Sequence, residues 1–118
     1  MTRRDDSIRL RHMADHARKA VDLSQGRTRS DLDSDSLYEL AMTRLVEVIG
    51  EAAMRLSPET RARYPDIPWP EIIAARNRLI HGYDQINKNI LWDILQLDLP
   101  FLLRRLDEII AELPGESA

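Results

Sequence analysis

Residues 34–56 place Leu37, Leu40, Ala41, Leu45, Val48, Ile49, Ala52 and Leu56 at i, i+3, i+4 and i+7 spacing, the cleanest periodicity in the chain. A second run, Ile90, Leu91, Ile94, Leu97, Phe101, Leu102, Leu106, Ile109, Ile110 and Leu113, keeps the same period up to Pro114. Nothing alternates with period two over a useful length, so the expected fold is all-α without a sheet. Asp5, Asp6 or Ser7 can cap a first helix reaching about Leu23, with Ile8, Met13, Ala17, Ala20 and Val21 as its apolar stripe. Residues 25–35 are polar and turn-rich and read as a loop, with Arg27 and Arg29 as mobile cations. Ser57-Pro58 opens a short helix that Tyr64-Pro65 ends. Pro100 must kink or split the last run, its second piece opening at Asp98 or Leu99. The expectation is an antiparallel bundle of four main helices plus one short one, a single domain over 1–118.

Gly50 sits inside the second helix, where glycine costs about 0.5–1 kcal/mol relative to alanine, so a neighbour is expected to pack close there. Glu47, Glu51 and Arg55 share a face of that helix, and Glu51 to Arg55 is a well-oriented i,i+4 pair. The plain reading of Glu51 is therefore a structural ion pair.

The stretch Pro68-Trp69-Pro70-Glu71-Ile72-Ile73-Ala74-Ala75-Arg76-Asn77-Arg78-Leu79-Ile80-His81-Gly82-Tyr83 carries the chemistry. It reads as one helix, with Pro70 in its first turn and Gly82 as the residue that closes it. Ile72, Ile73, Leu79 and Ile80 bury one side, leaving Arg76, Asn77 and His81 to face elsewhere. An always-charged guanidinium beside an imidazole that titrates near neutrality suits metal-free phosphodiester chemistry. Arg78 is a second candidate phosphate contact, and Tyr83 lies just past the helix end.

Composition narrows the classes. With no cysteine there is no disulfide framework, thiolate nucleophile or cysteine-ligated zinc. His12 and His16 are four apart on the first helix, but no third and fourth ligand stands out, so no metal and no cofactor are expected. No apolar run approaches the roughly 20 residues of a membrane span, and a signal-peptide core is absent, which predicts a cytosolic protein without a membrane partner. The net charge of −3 hides an uneven distribution, because residues 1–30 carry eight Arg/Lys against four Asp. That basic third can lie along a polyanion, or be a solvated face with scattered arginines.

Ile49-Gly50-Glu51-Ala52-Ala53, Tyr64-Pro65-Asp66-Ile67-Pro68-Trp69, Arg76-Asn77-Arg78-Leu79-Ile80-His81-Gly82-Tyr83, Trp92 and Leu99-Pro100 together resemble, in order and spacing, the HepT-like branch of the HEPN superfamily. The resemblance runs from about residue 7 to 113. It implies a small prokaryotic toxin that cuts RNA without metal, with Arg76 and His81 catalytic, Asn77 as the polar residue after the arginine, and the motifs of a homodimer or larger assembly facing each other. It also implies a minimal nucleotidyltransferase antitoxin as partner, which adenylylates the tyrosine corresponding to Tyr83. The one His and one Arg of the motif leave the second proton transfer without an obvious agent; the fold could bring His12 or His16 near, and a two-fold dimer is the simpler supply. A different class, a non-catalytic helical module that binds nucleotide for a nucleotidyltransferase, fits the same residues. A blander possibility is a structural dimer in which Arg76 and His81 only cap and pair, and Tyr83 packs over a helix end.

Overall fold

The computed structural model describes residues 4–79 and 85–114, which form helices joined by short turns. In chain order these are α1 (Arg4–Leu23), α2 (Asp31–Ser34), α3 (Ser36–Arg55), α4 (Pro58–Arg63), α5 (Trp69–Ile73), α6 (Ala75–Leu79), α7 (Lys88–Asp93), a π-helical turn (Ile94–Asp98) and α8 (Leu99–Glu112). The fold is all-α, as the periodicity predicts, and among the described residues there is no strand. The four long helices of the expectation resolve into more pieces, and α2 is a helical turn inside the stretch expected to be a loop.

The core is where α1, α3 and α8 meet. Leu10, Met13, Ala17 and Ala20 of α1 face Met42, Val46, Ile49 and Ala53 of α3 and Leu102, Leu106 and Ile109 of α8, all fully or nearly buried. The small residues at 17, 20 and 53 let the helix axes approach, and the long ones fill the seams. On α3 the buried face coincides only in part with the predicted one, since Leu45, Ile49 and Leu56 of the expected stripe are buried and others are not. Tyr38, Met42, Leu45, Val46, Ile49 and Ala53 point inward, while Leu37 is 78% and Leu40 62% exposed. Apolar residues occupy two faces of this helix, and the periodicity picks a stripe that is half outside.

Gly50 has a direct cause. A Cβ there would stand 2.9 Å from the carbonyl oxygen of Ile72, so the backbone of α5 lies directly on α3 at this point. α5 reaches that place through the proline-rich connector. The Trp69 indole N–H donates to the carbonyls of Arg61 and Tyr64, both at 3.0 Å, and its ring is buried. The helix expected to run unbroken from Pro70 to Gly82 is interrupted at Ala74 (φ −82°, ψ 0°), which separates α5 from α6. Past α6, the Asn87 amide donates to the Leu79 carbonyl, and the Asn87 side chain accepts from the amides of Asn89 and Ile90, both at 3.1 Å, capping α7.

Pro100 acts as its chemistry requires. It has no N–H to give the preceding turn and its ring crowds the carbonyl four residues back. The chain answers with the wider π-helical turn at Ile94–Asp98, after which α8 opens at Leu99. Arg27 and Arg29 are not mobile cations. Arg27 pairs with the α3 cap Asp35 at 3.0 Å and stacks 4.4 Å over the Tyr38 ring. Arg29 pairs with Asp33 at 3.0 Å and donates to Asn89 at 2.8 Å. Both hold the α2 corner to the start of α3 and α7.

Candidate active site

Arg76 stands on α6 where that short helix passes α3. Its Nε lies 3.4 Å from Glu47 Oε2, and its side chain is 62% exposed while the glutamate is largely covered. Glu47 therefore holds the guanidinium at the surface without burying it. An exposed pair of this kind adds little stability, about 0–1 kcal/mol, so its consequence is orientation. Sequence reasoning places Glu47 on a face with Glu51 and Arg55 but misses it as the partner of Arg76, because the connection crosses between helices.

Asn77 is exposed beside it. Arg78, two residues on, is turned by about 200° around the helix and serves different surroundings. It lines a mostly apolar groove of about 440 Å³ together with Glu71, Ile72, Leu97, Asp98 and Phe101. Burial against that wall pushes the Asp98 carboxyl up from its ordinary range, helped by Asp93 and opposed by Arg78. Arg76 and Arg78 thus diverge, and α6 presents one cation to α3 and one to the groove. His81, Gly82 and Tyr83, the remaining predicted residues of the motif, lie outside the described residues.

Glu51 is in an ion pair, but not with Arg55. It meets Arg44 at 3.7 Å, two turns back along α3. Arg55 is left exposed, with no carboxylate at ion-pair distance among the described residues. His12 and His16 lie on the side of α1 that faces this end of α3, in a groove of about 320 Å³ shared with Glu51 and Arg55. Among the described residues no three His, Cys, Asp or Glu side chains converge as a metal site. No helix there is long and apolar enough to cross a membrane.

A small helical fold with an exposed arginine held at a helix crossing defines a class compatible with phosphate chemistry, and comparison with known proteins makes the class specific. Residues 13–109 match the ribonuclease HepT-like family, and the chain belongs to that family. It is 31% identical over 117 residues, 99% of this chain and 97% of the relative, to a protein provisionally named an RNase from Methanocaldococcus jannaschii. A provisionally named RNase of Caldanaerobacter subterraneus subsp. tengcongensis is 31% identical over 86% of this chain and 90% of its own length. A protein provisionally named ribonuclease HepT from Thermococcus cleftensis is 30% identical over 77% of this chain and 86% of its own. No solved structure matches the chain. By family, then, this is a ribonuclease of the HepT-like, HEPN type.

Proposed function

We propose that the protein is a metal-independent endoribonuclease of a toxin–antitoxin pair, acting in the cytoplasm as a homodimer with Arg76 and His81 at the cleft between subunits. The observation that carries the proposal is the placement of Arg76, exposed and oriented by Glu47 on a chain of the HepT-like family. In the reaction, a base removes the 2′-hydroxyl proton and that oxygen attacks the adjacent phosphorus. The bond to the 5′-oxygen breaks, an acid returns a proton to it, and a 2′,3′-cyclic phosphate remains. His81 is the proton carrier, a role typically worth about 10²–10⁴-fold. Arg76 holds the non-bridging oxygens, and its grip tightens as charge builds on them. Asn77 orients the imidazole or the ribose. Glu51, paired with Arg44, has a supporting place on α3 and takes no part in proton transfer. Arg78, turned to the apolar groove, contacts the strand away from the scissile phosphate.

The exposed leucines of α3 support the dimer. Leu37 and Leu40 stand on the face that also carries Arg44 and Glu47, so a two-fold contact through this face brings two Arg76 side chains toward one cleft. A second copy also supplies the second His81 that a two-proton reaction needs.

Regulation falls on Tyr83. A phenol is a poor nucleophile unaided, so a nucleotidyltransferase antitoxin must activate it. The attached AMP sets a phosphate beside Arg76 and His81 and excludes the RNA phosphate from them. Intact mass after co-expression with a cognate nucleotidyltransferase tests this: the expected result is a gain of about 329 Da per adenylyl group, abolished by Tyr83→Phe. An unchanged mass accompanied by loss of toxicity would instead mean neutralisation by binding alone.

A further inference from the structure

The groove between α1 and α3 is not used by this mechanism, and its lining mixes charged side chains with two imidazoles. From α1 come Asp5, Arg9, His12 and His16, and from α3 come Glu51 and Arg55. Ile8, Val48 and Ala52 add apolar lining. The acids and arginines are not equally available. Glu51 is engaged by Arg44 at 3.7 Å, whereas Arg55 has no carboxylate at ion-pair distance among the described residues. Arg9 faces Asp6 at 3.6 Å, but that carboxylate already accepts from Ser57 and Thr60. His16 donates from Nδ1 to the His12 carbonyl at 2.7 Å, which fixes its ring and aims Nε2 away from the helix. The groove therefore offers an open guanidinium and two imidazoles, with Asp5 and Glu51 as the acids of its lining.

We infer that this groove binds a backbone phosphate of the RNA strand outside the scissile position. The inference rests on the ribonuclease reading. Glu47, which carries Arg76, and Arg55 are both on α3, eight residues apart, a separation of about 12 Å along the helix axis. A strand whose scissile phosphate sits at Arg76 can run along α3 and place a second phosphate at Arg55, with His12 donating to its oxygens and His16, whose Nδ1–H is held by the His12 carbonyl, donating from Nε2 as the imidazolium. Three other cations of the basic N-terminal third are already engaged elsewhere. Arg18 is paired with Asp107 at 2.7 Å, Arg27 with Asp35 and Arg29 with Asp33.

The test is fluorescence anisotropy of single-stranded RNA of 4 to 16 nucleotides with the His81→Ala protein, which keeps the strand intact. The expected result is affinity that rises with length. Arg55→Ala and the double variant His12→Ala/His16→Ala remove that gain, weakening the longest strand roughly 5- to 20-fold. The slope of log affinity against log salt falls by about 0.7 for each phosphate of a single strand that the variant no longer neutralises. Arg18→Ala, on another surface, leaves both unchanged, and thermal unfolding confirms that each variant is folded. Unchanged affinity and slope in the Arg55 and double-histidine variants would overturn the inference. So would AMP binding as tightly as the longest strand, since the groove would then hold a free nucleotide. Continued RNA cleavage by His81→Ala would instead refute the ribonuclease mechanism, a failure visible separately in the same samples.

Discussion

Asp6 shows how one residue can be fixed by chemistry that its neighbours in sequence do not reveal. Read locally, it is one of several caps for α1. In the fold it is 1% exposed and accepts from the Ser57 hydroxyl and the Thr60 hydroxyl, both at 2.6 Å, and from the Ser57 amide. It thus anchors the start of α4 to the first turn of α1. Burial alone would raise this carboxyl, but the hydrogen bonds from Ser57 and Thr60, with Arg9 nearby, outweigh it and hold it below its ordinary range. Its contribution is present above the unfolded carboxyl pKa of about 4 and is lost as pH falls through the lower folded value. Asp6→Ala strands the Ser57 and Thr60 donors and is expected to cost about 2–4 kcal/mol at pH 7 by urea unfolding. The difference from the parent should shrink below about pH 4. An equal difference at pH 7 and pH 3 would show that the ionised form is not what stabilises the contact. By contrast Arg76, Asn77 and Arg78 are legible from the motif, whereas the partner that orients Arg76 is not, because Glu47 is far back in the chain and meets it only across a helix crossing.

At the scale of elements, α3 is the case where pattern reading succeeds in type and only in part in orientation. Its apolar residues cover two faces, so i, i+3, i+4 spacing can be satisfied by a stripe that includes Leu37 and Leu40 or by one that includes Tyr38, Met42 and Val46. Periodicity cannot choose between them when a helix has a core on one side and an exposed apolar strip on the other. Leu40→Glu tests what the strip is for. Because the side chain is 62% exposed, thermal stability of the single chain should hardly change, while sedimentation should shift from dimer to monomer. A monomeric parent, or a variant that stays dimeric, would remove α3 from the interface. Gly50 does mark a close approach, and it yields the opposite expectation to helix propensity. Alanine there would gain about 0.5–1 kcal/mol as a helix former but must push the Ile72 carbonyl away from 2.9 Å. Gly50→Ala is therefore expected to be destabilised by about 1–3 kcal/mol in denaturant unfolding, and a more stable variant would show that α5 yields freely. The break at Ala74 and the π-helical turn before Pro100 are legible only in part. Proline announces that something must give, but which carbonyl moves depends on packing against α3 and α8.

For the whole molecule, helix content and family are readable from the chain, since joint motifs at fixed spacing survive where individual pairings do not. The basic N-terminal third is a poorer guide. Part of that charge is used inside the fold, Arg18 on Asp107, Arg27 on Asp35 and Arg29 on Asp33, while Arg55, which lies outside that third, has no carboxylate at ion-pair distance among the described residues. Charge counted along a sequence does not say which groups remain available once helices pack. The proposed chemistry depends on one short helix presenting a guanidinium, with the imidazole that follows it, to an RNA phosphate. The most direct measurement is RNA cleavage by purified parent, Arg76→Ala and His81→Ala proteins in the presence of a metal chelator, with folding checked by circular dichroism. The parent is expected to cut despite the chelator, and each variant to fall by about 10²-fold or more while remaining helical. Cleavage by both variants at the parental rate, or a parent silenced by the chelator, would contradict the mechanism.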